Sequence, residues 1–156
     1  MSGFLTRGWQ NSRVIAAKIC TTELDRASST ALTNVTGCSH SLLGGVTYLI
    51  EAHITGTATA NGGSKATVGG DGILSATAFT LSGTNRNGAT TNACGTTTTL
   101  GTAVAGATAV LTDFILLGSI TVNKPGRAWL QFAQNASHAD TSSVYVGSYI
   151  KFTIVD

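Results

Sequence analysis

The residues that most resemble a reaction centre lie near the carboxyl end, where Ser137-His138-Ala139-Asp140 gathers a hydroxyl, an imidazole and a carboxylate. A nucleophilic triad needs those groups to converge with the imidazole held between nucleophile and acid, and neighbours on one loop seldom achieve it. The run reads as a solvated loop, and no catalytic residue is expected. Glu51, Asp71 and Asp113, the carboxylates available for paired acid–base work, fall in separate predicted elements with no shared motif. Gly37-Cys38-Ser39-His40 offers a thiol and an imidazole two residues apart. A structural zinc takes four such ligands, commonly in paired short-spaced sets, whereas Cys20, His53 and Cys94 are isolated, so no metal is expected. Asn61-Gly62-Gly63-Ser64-Lys65 lacks the spacing of a phosphate cradle, and no cofactor is expected either. The odd number of cysteines argues against a disulfide framework; they read as free thiols packed as small apolar residues. Trp129 and Tyr149 are candidates to line a sugar-binding groove, although an aromatic within an alternating strand more often belongs to the core or a subunit interface.

Composition bounds what positions these residues. A chain of 156 residues suits one domain, and 42% hydrophobic residues supply a core, but only 10% of the residues are charged. An average soluble protein carries roughly 25%. Surface polarity must come from Thr, Ser, Asn and Gly, which suit strands and turns. So neutral a surface has little electrostatic defence against association, which points to an assembly. The net charge is +2 and the basic residues are scattered, so no stripe for nucleic acid is formed. The first residues lack the apolar stretch of a signal peptide, and no run approaches the roughly 20 apolar residues of a membrane span. Synthesis and retention in the cytoplasm are expected, with neither nucleic acid nor membrane as partner.

The pattern of the chain predicts strands throughout. Val14–Cys20 and Ala31–Val35 are short apolar runs, the second closed by Thr36-Gly37, with a charged loop between them. Thr47–Thr55 alternates, so that Tyr48, Ile50, Ala52 and Ile54 share the core face. Lys65–Val68 and Ile73–Leu81 flank Asp71-Gly72, a pair favoured in tight turns, and read as a hairpin. Ser82–Ala107 reads as a long loop, with a turn signal at Asn87-Gly88 and room for a weak strand near Thr97–Thr102. Val110 with Phe114–Val122, then Arg127–Gln134 after a Pro-Gly turn, then a last pair, Ser143–Val146 with Tyr149–Val155 after Gly147-Ser148, complete eight or nine strands. Their even spacing predicts an all-β fold, a single antiparallel β-sandwich of jelly-roll type over residues 14–156.

Several stretches, in order, resemble small β-sandwich virion structural proteins of tailed bacteriophages. They are Leu32-Thr33-Asn34-Val35-Thr36-Gly37, Gly45-Val46-Thr47-Tyr48, Gly126, Leu130-Gln131-Phe132-Ala133-Gln134-Asn135-Ala136-Ser137, Ser142-Ser143-Val144 and Gly147-Ser148-Tyr149. The resemblance spans about residues 31–156; Cys38 stands where an aliphatic residue is expected, and His53 is an unusual guest in its strand. It implies a structural role without catalytic residues. The leading expectation is a capsid decoration or cement protein that binds across neighbouring shell subunits. The alternative is a head, neck or tail fibre module that binds a bacterial surface glycan. The expected partners are the major capsid protein or other virion proteins. A homotrimer is expected because similar proteins often occupy threefold positions.

Residues 1–13 lie outside that resemblance. Phe4, Leu5 and Trp9, interrupted by glycines and flanked by Arg7 and Arg13, suit an N-terminal arm whose rings enter pockets on a partner.

Overall fold

The computed structural model describes residues 14–106 and 111–155, with backbone pairing alone for 14–16, 111 and 112. The proposed arm and its residues Phe4, Leu5, Arg7, Trp9 and Arg13 lie outside the described residues. What is described is all-β, in two antiparallel sheets. The larger sheet runs β1 (Val14–Ile19), β12 (Tyr149–Val155), β4 (Thr47–Ala58), β9 (Leu111–Lys124), β6 (Ser75–Asn87) and β7 (Thr90–Thr97). At one end β11 (Ser142–Val144) pairs with both β4 and β2 (Leu24–Arg26). The smaller sheet runs β3 (Thr33–Leu42), β10 (Gly126–Ala133), β5 (Lys65–Gly70) and β8 (Val104–Ala105).

Alternation in the sequence decides which side chains meet between the sheets. Along β4, Tyr48, Ile50, Ala52 and Ile54 are buried as their period of two requires. β10 contributes Ala128, Leu130 and Phe132, β9 contributes Phe114, Leu116, Ile120 and Val122, and β12 contributes Ile150 and Phe152. These belong to one continuous core. Phe152 lies at its centre, with Tyr48 and His40 each meeting it edge-on, at centroid distances of 6.2 and 5.6 Å. The buried Tyr48 hydroxyl accepts the Leu43 N–H at 2.9 Å, so the core carries the phenol without an unpaired oxygen.

Five expectations change. The stretch read as a charged loop contains a short strand, β2, held by its pairing with β11. The strand predicted to end at Thr36-Gly37 continues to Leu42, because Gly37 adopts φ +89° and passes as an irregularity inside β3. A Cβ there would overlap the Ile19 carbonyl oxygen, so the glycine also lets β1 and β3 approach. Asp71-Gly72 does not close a hairpin, since β5 and β6 belong to different sheets. Asp71 instead builds a corner: one carboxylate oxygen accepts the N–H groups of Ile73 and Leu74, and the other accepts that of Arg127. Those three N–H groups hold its carboxyl below the ordinary aspartate range, Leu74 contributing most. The region read as a long loop is the end of β6, then β7 and β8, with the β6–β7 hairpin turning at Asn87-Gly88. Finally, β11 and β12 do not pair with each other; each joins β4 separately.

Candidate binding surfaces

The residues singled out for chemistry are drawn into the framework. His138 and Asp140 do meet, with Asp140 N–H reaching Nδ1 at 3.1 Å and the carboxylate 3.2 Å away. Their turn is assembled around the buried Gln134, whose Oε1 accepts N–H groups of Ser29 and His138 and whose Nε2 donates to the Asp140 carbonyl. Among the described residues no hydrogen bond joins Ser137 to His138. The carboxylates Glu51, Asp71 and Asp113 are likewise separated: Asp71 is at the corner, Glu51 pairs with Lys151, and Asp113 pairs with His53.

The cysteines are free thiols, and Cys20 and Cys38 are fully buried, as small apolar residues would be. The Cys38 thiol sits 3.5 and 3.6 Å from the carbonyl oxygens of Lys18 and Ser148, joining β3 to the end of β1 and the start of β12. Burial pushes it up to about 12, with Cys20 nearby adding to the rise. Burial also raises Cys20. His40, two residues on, turns its ring to Phe152.

Two outward sheet faces remain. On the larger sheet, registered rows run Tyr149–His53–Ile115, Lys151–Glu51–Leu117 and Thr153–Leu49–Ser119 across β12, β4 and β9, continued on β6 by Thr84, Ser82 and Thr80. Leu49 and Leu117 are 52% and 56% exposed and border a depression of about 240 Å³ with Glu51, Lys151 and Thr153. The ionisable groups of this face find partners within it. Glu51 accepts from Lys151 at 2.5 Å and from the Tyr149 hydroxyl at 2.8 Å, and these bonds hold its carboxyl below the usual range, Lys151 foremost. The same bond holds the Tyr149 phenol above its usual range. His53 Nε2 lies 2.9 Å from Asp113, and its ring meets Tyr149 edge-on.

On the smaller sheet, β10 presents Arg127, Trp129 and Gln131 outward. Trp129 is half-buried between two small residues, Ser39 on β3 and Gly69 on β5. Gln131 Nε2 donates to Asn34 Oδ1 at 2.8 Å. The Arg127 guanidinium lies over the indole, 5.5 Å from its centroid. A groove of about 590 Å³ is lined here by Ser41, Leu43, Asp71, Pro125, Arg127 and Trp129. Tyr149 and Trp129, candidates for one groove by sequence, therefore face outward from different sheets. Alternation in Arg127–Gln134 was the available signal for the Trp129 face; nothing in the sequence signalled that β1 and β3 would join it.

No family model, curated protein or solved structure matches the chain. Among the described residues no helix is long and apolar enough to cross a membrane.

Proposed function

We propose that this chain is a non-catalytic bacteriophage virion structural protein, a capsid decoration or cement protein that binds across neighbouring shell subunits. The carrying observation is the outer face of the larger sheet, where exposed Leu49 and Leu117 are surrounded by hydroxyls, by the Glu51–Lys151 ion pair and by His53 and Asp113, which contact each other within the face. Covering such a face removes apolar area from water without stranding an unpaired charge, which is the economy a protein–protein interface requires. The order of the Leu130–Ser137, Ser142–Val144 and Gly147–Tyr149 stretches adds the phage resemblance. A jelly-roll topology belongs to the same reading, supported by sequence-distant pairings such as β1 with β12 and β3 with β10. The working form is a homotrimer in the virion, each copy adding a weak contact so that the shell is held by avidity. Residues 1–13 serve as an arm to the neighbouring subunit or capsid protein.

The test is co-sedimentation with particles lacking this chain. Leu49→Asp with Leu117→Asp should abolish occupancy. Deletion of Met1–Arg13 should leave the sheets folded and weaken binding at least tenfold, about 1.4 kcal/mol. Full occupancy by both variants would refute the reading. The groove beside Trp129 favours a second reading, a virion module that binds a bacterial surface glycan.

A further inference from the structure

The smaller sheet's outer face carries an arrangement that shell binding does not require. Beside the Trp129 groove lies a second groove of about 330 Å³, lined by Lys18, Ser39, His40, Ser41 and Arg127. Ser41 and Arg127 line both, so the guanidinium stands on the ridge between them. Lys18 comes from the edge strand β1, while Ser39 and Ser41 come from β3, directly opposite Trp129 and Arg127. Among the described residues, neither the Lys18 ammonium nor the Arg127 guanidinium has a hydrogen-bonded or ionic partner. The chain has nine basic residues, and two unpaired ones converge on one groove with two hydroxyls. That is a site for one carboxylate: a guanidinium fork held in place by its ring contact, an ammonium and two neutral donors.

The adjoining groove sets the rest of the ligand. Its wall is the remaining surface of the Trp129 ring with Leu43 and Pro125, which suits the apolar face of a sugar ring, and its polar groups are Ser41 and Asp71. Asp71 stays ionised because three backbone N–H groups bind its carboxylate. It can accept from sugar hydroxyls, and it repels a second anion. A nucleic acid carries a charge at every phosphate and would place one beside it. We propose that the paired grooves bind an acidic saccharide, with the carboxylate of a uronic or sialic acid between Lys18 and Arg127 and the neighbouring sugar ring on Trp129. This rests on the glycan-binding reading of this face and is independent of the shell-binding face.

The experiment is a titration of the full chain carrying Trp9→Phe, so that Trp129 is the remaining indole. The probes are an array of bacterial oligosaccharides containing glucuronic, galacturonic or sialic acid, the matched carboxyl-reduced neutral sugars, and single-stranded DNA. Acidic sugars should change Trp129 fluorescence and bind at least tenfold more tightly than their neutral counterparts, with the preference fading at high salt. Lys18→Ala and Arg127→Ala should each remove most of that preference, and Trp129→Ala should abolish binding to immobilised glycan. Lys18 is exposed on an edge strand, so that variant reports on the site even if the Trp129 variant fails to fold. Equal binding of acidic and neutral sugars would overturn the acidic-sugar assignment while leaving a glycan site. Binding of no glycan would remove both, and DNA binding as tightly as the sugars would overturn the single-anion argument.

Discussion

The buried Cys38 thiol makes alkaline stability a sensitive probe of the core. Its ordinary value of 9.0 is raised to about 12 by burial, so the folded chain keeps a proton that the unfolded chain loses. A folded value above the unfolded one gives stability that is fully present below pH 9 and is lost as pH rises towards 12. The loss attributable to this thiol is about 1.4 kcal/mol at pH 10 and about 2.7 kcal/mol at pH 11, from about 1.36 kcal/mol per pH unit. Cys38→Ala removes the titrating group at the cost of a small void, so the variant should be less stable at pH 8. Urea unfolding of both proteins at pH 8, 10 and 11 isolates the term, because every other ionising group is common to the two. The wild type's advantage should shrink by those amounts and reverse where they exceed the void's cost. An advantage that stays constant from pH 8 to 11 would refute a protonated, metal-free thiol at this position, since a thiolate already bound to a cation has no proton to lose there.

Two further outcomes test the sheet geometry. Gly118 on β9 lies so close to β6 that a Cβ would overlap the Thr80 carbonyl oxygen, so Gly118→Ala should destabilise by about 1–3 kcal/mol or more, read as a lower urea midpoint at unchanged slope. Glu51→Gln should lower the Tyr149 titration towards its ordinary value of 10.0, because the neutral amide no longer favours the protonated phenol; phenolate absorbance on alkaline titration reads it.

What was legible in the sequence was local. The alternation of Tyr48–Ile54 named its own core face, because period two is enforced by the strand wherever its partners lie. Asp71-Gly72 shows the limit. The same residues that turn a hairpin also turn a corner between sheets, since a side-chain oxygen beside free N–H groups and a glycine at positive φ serve either turn. The deciding bond runs to Arg127, 56 positions away, which no window on residues 65–81 contains. β7 was hidden for a different reason: of Thr90–Thr97 only Thr97 is buried, so an edge strand with little core contact carries no hydrophobic period to read.

The same distinction separates the two outer faces. The pairs Glu51–Lys151 and His53–Asp113 join strands that are neighbours in the larger sheet, and each keeps its polar contact within the face that displays it. Lys18 and Arg127 come from different sheets and line one groove, where Gly37 lets β1 approach β3. A face whose ionisable groups already have partners gains little from a charged partner and most from a surface that covers Leu49 and Leu117. A groove that collects unmatched cations beside an indole gains most from an anion with an apolar ring attached. Since the two surfaces face outward from different sheets of one core, occupation of one leaves the other open. On the proposed reading, a shell-bound copy would therefore keep its groove open, so that attachment to a particle and contact with an acidic glycan would not compete for one surface.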